Sequence, residues 1–176
     1  PGIEVAISDQ GEILTKHPGL MMGYYKETAM TAEVITPNGF LKTGDKGEVD
    51  SEGFLTITGR LKDLFKTDKG KYIAPGPIEL KLSGNPDIEQ VCVVGMGVPQ
   101  PMALIVLSAS GKTKTKDAII ESLSASLEQT NKLLEDYERL ESAVIMKEDW
   151  TIENGLMTPT LKVKRNELEK IHLPHY

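Results

Sequence analysis

Lys162 stands in the stretch NGLMTPTLKVKR, residues 154–165, where glycine, proline and threonines punctuate a loop instead of continuing a helix. A lysine that only needs water can sit anywhere on a helix, whereas one held on such a tether can be delivered to a partner elsewhere. Lys164 and Arg165 follow within three residues, and in an extended loop Lys162 and Lys164 share a side. Spacing therefore leaves the choice between them open, and a solvated basic loop is the plain alternative.

Three further groups carry chemistry-bearing residue types. In Thr43-Gly44-Asp45 a carboxylate follows a glycine, on what reads as a turn. It can accept hydrogen bonds from two neighbouring hydroxyls, the diol of a ribose; an Asx-turn satisfying its own backbone is the alternative. Fifteen residues on, GRLKD offers Arg60, whose planar fork suits a ribose or phosphate oxygen. Lys62 and Asp63 fall where the composition changes, the place for a hinge, unless GRLKD is simply a solvated strand end. In KTDKGKYIAP, Lys66, Lys69 and Lys71 surround Gly70, a cationic turn able to approach a phosphorylated ligand with its backbone. Solvated hairpin lysines are the commoner case. Glu79 either pairs with one of them or serves as an ordinary acid at a helix start.

Other chemistries find little to work with. Three histidines, His17, His172 and His175, are scattered and show no zinc spacing, so no metal site is expected. Gly95-Met96-Gly97 does not extend to GxGxxG, and GKTKTK at 111–116 lacks the upstream glycine of a phosphate loop and reads as a helix start. A net charge of −6 argues against sequence-independent nucleic-acid binding. Cys92, the single cysteine, lies in the apolar run VCVVG and reads as a small buried hydrophobe. It suits a reducing compartment, and a cytoplasmic location is expected. No apolar run approaches the roughly 18 residues of a membrane span. The chain opens PGIEVAIS, already in strand-like alternation, and reads as part of something longer.

The elements that must position these residues fall into two parts. Up to about Arg60 the pattern is β-rich: alternation over Ile3–Ile7, a turn at SDQG and a returning strand in GEILTKH. A short helix over Glu27–Val34 and a hairpin across KGEVDSEGFLTITGR complete this part. From residue 61 a turn at Asp68–Gly70, a helix over Pro75–Leu82, and strands at Ile88–Val94 and Met102–Leu107 follow. One long helix is expected to align Ile119, Ile120, Leu123, Leu127, Leu134 and Tyr137, before a strand at Ala143–Met146 and a final helix from Arg165. The fold class expected is α+β: a small β-rich unit over residues 1–60, then an α+β domain over 61–176 with a short mixed sheet and packed helices.

Taken in order, GLMMGYYKE, GFLKTGDKGEVDSEGFLTITGR, LKDLFKTDKGKYIAPGPIE and NGLMTPTLKVKR resemble the carboxy-terminal part of the adenylate-forming superfamily. The wording of the last two is most similar to long-chain fatty acid–CoA ligases. The resemblance spans essentially the whole chain. It implies that Asp45 binds the ribose hydroxyls of ATP and of the acyl adenylate, that Arg60 contacts the same nucleotide, and that Lys62 is the hinge. It implies that Lys162 is the catalytic lysine, while Lys66 and Gly70 serve the second, coenzyme A-dependent step.

The implied reaction activates a fatty acid with ATP and Mg2+, then transfers the acyl group to coenzyme A. The family's phosphate loop, adenine-contacting segment and acyl tunnel would belong to a missing N-terminal large domain, so the chain alone is expected to be inactive. Departures are Phe40-Leu41 before TGD and TAMTAEV, without the usual proline, after YYKE; they bear on subgroup and packing. Alternatives are a ligase for an aromatic or short-chain acid, a free-standing nucleotide-binding or regulatory module that binds AMP by itself, and an interaction domain using the long helix. Peripheral membrane association of the parent is compatible with a lipid substrate, although nothing in the chain supplies an anchor.

Overall fold

The computed structural model describes residues 2–172, so His175 lies outside the described residues. Two compact units divide the chain, one ending at Asp63 and one beginning at Leu64. Each is described by itself.

In the first unit, β1 (Glu4–Ile7), β2 (Glu12–Lys16), β3 (Leu41–Val49) and β4 (Leu55–Arg60) form an antiparallel sheet in chain order. Helix α1 (Thr28–Val34) lies in the chain between β2 and β3. The β3–β4 turn is closed by Asp50, whose Oδ1 accepts from the N–H groups of Glu52 and Phe54, both at 2.9 Å. Thr43-Gly44-Asp45, expected on a turn, lies instead inside β3. The strand runs through Gly44, at φ +74°, because side chains satisfy the local backbone. Glu12 Oε1 accepts from Gly44 N–H at 2.9 Å, and Thr43 Oγ1 accepts from Asp45 N–H at 3.1 Å. Val49 and Leu55, partners in the β3–β4 register, are exposed, as are Phe54 and Ile57.

The second unit begins with a 3₁₀-linked hairpin, β5 (Phe65–Lys66) and β6 (Tyr72–Ile73), then α2 (Pro75–Leu82). Its centre is a three-stranded sheet of β7 (Ile88–Val94), β8 (Met102–Leu107) and β9 (Ala143–Ile145), β7 antiparallel and β9 parallel to β8. Strand alternation sends side chains to two cores. Val93, Ala103 and Ile105 meet Ile78 and Leu82 of α2 and Ile119 and Leu123 of the long helix. Cys92, Val94, Leu104 and Val106 meet Trp150, Met157 and Leu168 on the other face. Being covered on both sides is why β7 and β8 read as unbroken apolar runs.

Helices α3 (Ala109–Lys112) and α4 (Lys116–Asn131) are capped by Ser108 and Thr115, which accept from Gly111 and Ala118 N–H. GKTKTK thus spans two helices, ending one and starting the next. Helix α4 stops short of the expected length. Asn131 is tied at both amide atoms to Leu140, at 2.9 Å each, and Leu134 and Tyr137 lie beyond the helix end. Leu134 still packs on the core, whereas Tyr137 takes Lys71 over its ring at 5.5 Å. Of α4's large apolar side chains only Ile120 is exposed, which removes the apolar patch an interaction role for this helix requires. The last described helix, α5, is Arg165–His172. Among the described residues no helix is long and apolar enough to cross a membrane.

Candidate functional site

Asp45 and Arg60 are register partners across β3 and β4, so the sheet brings together two residues fifteen apart in sequence. Arg60 Nε donates to Asp45 Oδ1 at 2.7 Å. This hydrogen bond and the carboxylate charge push the Arg60 pKa above its ordinary value. Asp45 does not close an Asx-turn: the N–H two residues on, that of Gly47, donates to Gly11 O at 3.0 Å. Thr43 Oγ1 donates to Ile13 O at 2.8 Å. The contribution of Glu12, and the anchoring of Thr43 on Ile13, had no local signal, because both act across a strand pairing that sequence spacing does not display. Oδ1 is held by Arg60, so the pair presents the Asp45 carboxyl in a fixed orientation, with acceptor capacity for a diol.

Lys62 sits in the single 3₁₀ turn Leu61–Asp63 that ends the first unit. Lys66 and Gly70 belong to the β5–β6 hairpin, where Gly70 takes φ +78° and its N–H donates to Thr67 O at 3.0 Å. Buried Thr67 stitches the turn, its N–H donating to Lys71 O at 2.9 Å, while Lys66 Nζ lies 5.7 Å from the Tyr72 ring centroid.

Lys162 ends a tight reverse turn. Leu161 N–H donates to Thr158 O at 2.9 Å, Thr158 N–H to Lys162 O at 2.8 Å, and Lys162 N–H to Thr158 Oγ1 at 3.1 Å. Met157 and Val163 bridge antiparallel beneath it. The Lys162 side chain is exposed, with no hydrogen-bond or ion-pair partner among the described residues. Arg165 leaves the competition. Its Nη1 meets Glu79 Oε1 at 2.6 Å and its Nη2 meets Glu79 Oε2 at 3.2 Å. Glu79 therefore pairs with none of the hairpin lysines Lys66, Lys69 and Lys71, and the 86-residue separation explains why no local pattern betrays the true partner. Beside the lysine turn lies an open groove of about 610 Å³ lined by Gln90, Trp150, Ile152, Met157, Leu161 and Val163.

Cys92 is buried, and loss of solvation pushes its thiol up to about 12, so it supplies no thiolate at neutral pH. Among the described residues no group of three or more His, Cys, Asp or Glu side chains is placed to hold a metal ion.

The family model of the AMP-binding enzyme C-terminal domain matches residues 62–172. The chain belongs to that family. The match begins at Lys62 and includes Lys66, Gly70 and Lys162. Relatives extend over more of the chain. Long-chain-fatty-acid–CoA ligase FadD15 of Mycobacterium tuberculosis is 35% identical over 182 residues, covering 94% of this chain and 30% of its own length. Long-chain-fatty-acid–CoA ligase 5 of Mus musculus is 36% identical over 185 residues, with 94% and 27% covered. The chain thus spans less than a third of these relatives. Among solved structures, the adenylation domain of a carboxylate reductase from Mycobacterium chelonae has a TM-score of 0.79 at 23% identity, covering 99% of this chain and 30% of that one. O-succinylbenzoate coenzyme A synthetase from Bacillus subtilis, in complex with AMP, has a TM-score of 0.71 at 24% identity, covering 96% and 34%. At these identities the likeness is one of fold.

Proposed function

We propose that this chain is the lysine-bearing part of an ATP-dependent, AMP-forming ligase that joins a long-chain fatty acid to coenzyme A, working with a large N-terminal domain. In the first step a fatty acid carboxylate oxygen bonds to the α-phosphorus of ATP, and the bond to pyrophosphate breaks. In the second the thiol sulfur of coenzyme A bonds to the acyl carbon and AMP leaves. Asp45 accepts from the ribose hydroxyls while Arg60 holds that carboxylate and faces the nucleotide. The Lys162 ammonium stabilises charge gathering on the phosphoryl oxygens. Lys62 is the pivot between units, and the Lys66–Gly70 hairpin serves the coenzyme A step. Mg2+ bound with ATP would offset negative charge on the phosphates.

The observation that carries this reading is an ammonium with no partner among the described residues, at the end of a turn closed by three hydrogen bonds. The names of the relatives support a long-chain fatty acid as substrate. The exposed apolar residues of the first sheet, Val49, Phe54, Leu55 and Ile57, are those a large domain would cover. A cytoplasmic enzyme belongs to the same proposal.

The test is pyrophosphate exchange by the full-length enzyme with K162A and K164A. Removing Lys162 is expected to slow adenylation by about 10²–10³, and removing Lys164 to change it little. Adenylation surviving in K162A sinks the assignment.

A further inference from the structure

Strand β7 is an edge of its sheet, and edge strands leave backbone groups unpaired. At Val93 side chains take both. Val93 N–H donates to Glu79 Oε1 at 2.7 Å, and Arg165 Nη1 donates to Val93 O at 2.8 Å. The same two side chains pair fork to fork, and each is less than a fifth exposed, at 18% for Arg165 and 19% for Glu79. Arg165 Nη1 also reaches Cys92 Sγ at 3.2 Å. One turn along α5, buried Glu169 accepts from Gly95 N–H at 2.9 Å and Met96 N–H at 3.2 Å, just past the end of β7. Leu168, fully buried, packs between these polar anchors.

Helix α5 is therefore held to β7 by charged, directional bonds as well as by apolar contact. Apolar packing alone resists separation but tolerates a slide along the strand, whereas a guanidinium on a single carbonyl does not. Arg165 opens α5 three residues after Lys162. The intervening chain has little slack, because Val163 bridges Met157 and Lys164 N–H donates to Leu156 O at 2.8 Å. A shift of α5 would pass directly to the lysine turn.

We propose that Glu79 and Arg165 are positioning residues for adenylation, fixing the base of the turn that presents Lys162. This rests on the function proposed above. Neither side chain needs to touch substrate; the pair sets where the ammonium stands.

The experiment uses the full-length enzyme and measures the two half-reactions separately, with R165K and E79Q as the conservative variants. R165K keeps the charge but loses the fork that serves Glu79 and Val93 together. E79Q keeps the shape but loses the charge. The double variant E79L/R165M fills the space with apolar atoms and guards against a folding defect, since such replacements often leave stability intact.

For variants with unchanged circular dichroism, kcat for pyrophosphate exchange is expected to fall about 10–100-fold, as ångström-scale misplacement costs. The KM for ATP should stay within about threefold, and thioester formation from preformed acyl adenylate should be unaffected. Equal loss in both half-reactions marks a general structural role and overturns the inference. So does normal pyrophosphate exchange in all three variants while K162A abolishes it. If K162A itself adenylates normally, the proposed function fails and this inference with it.

Discussion

Leu161 has φ +58°, a left-handed backbone that costs a residue with a Cβ about 1–2 kcal/mol. It closes the three-residue loop Pro159-Thr160-Leu161, in the position where hairpins of this kind favour glycine. Its side chain is 69% exposed, so burial recovers little of that cost. Strain retained beside Lys162, the residue proposed for catalysis, is the pattern of a local geometry kept for use. Replacing Leu161 by glycine should leave stability unchanged or raise it by up to about 1 kcal/mol, glycine's extra unfolded-state freedom offsetting part of the relief. Urea unfolding of the L161G variant checks this; a clear loss of stability would mean that the groove beside the turn holds the leucine more firmly than its exposure indicates.

At the scale of elements, the start of β7 and the start of α4 are joined through one carboxylate. Asp87, 1% exposed, accepts from Lys114 Nζ at 2.7 Å and from Ser122 Oγ at 2.7 Å. Asn85 reaches the same helix through Ser122 and Ser126. Those two hydrogen bonds, from Lys114 and then Ser122, hold the Asp87 carboxyl below its usual range, opposed by burial. A folded-state pKa below that of the unfolded chain means the stabilisation is fully present above the ordinary aspartate value, about 3.9. It is lost as pH falls through the depressed folded value. The D87N variant should be less stable at neutral pH yet show a shallower loss of stability below about pH 4. Urea midpoints from neutral to acid pH read both effects, and parallel acid profiles for D87N and the parent would refute the assignment. How far such joints can be read from sequence depends on their range. The apolar runs of β7 and β8, the prolines opening α2 and the β3–β4 turn are local signals, and they place those elements. Gly44 suggests a turn at Asp45, whereas Glu12, 32 residues from Gly44, together with Thr43 lets the strand continue. The end of α4 is set by Asn131 reaching Leu140, which overrides an apolar period continuing to Tyr137. For the site, residue types and order pointed to Asp45, Arg60 and Lys162, but Glu79 and Arg165 pair across 86 residues, beyond the reach of any local pattern.

For the whole molecule, the proposed reaction asks two units for two different arrangements, one delivering Lys162 to the phosphates and one admitting coenzyme A. The chain between them is short. The pivot proposed for it is Lys62, exposed in the 3₁₀ turn Leu61–Asp63, which contains no buried side chain. Proline tests this with a minimal change, because it fixes its own φ near −65° and restricts the ψ of the residue before it. Lys62→Pro therefore removes freedom at both Leu61 and residue 62 while leaving the interior of each unit untouched. In the full-length enzyme overall thioester formation should fall by about 10² or more, a barrier of conformation instead of chemistry. One half-reaction, measured by pyrophosphate exchange or from preformed acyl adenylate, should persist within about threefold of the parent. Lys62→Ala, which keeps the rotation and removes only the ammonium, should retain both. If proline and alanine act alike, or if proline depresses the two half-reactions equally, the pivot lies elsewhere and a swinging lysine is the wrong account of how one chain serves both steps.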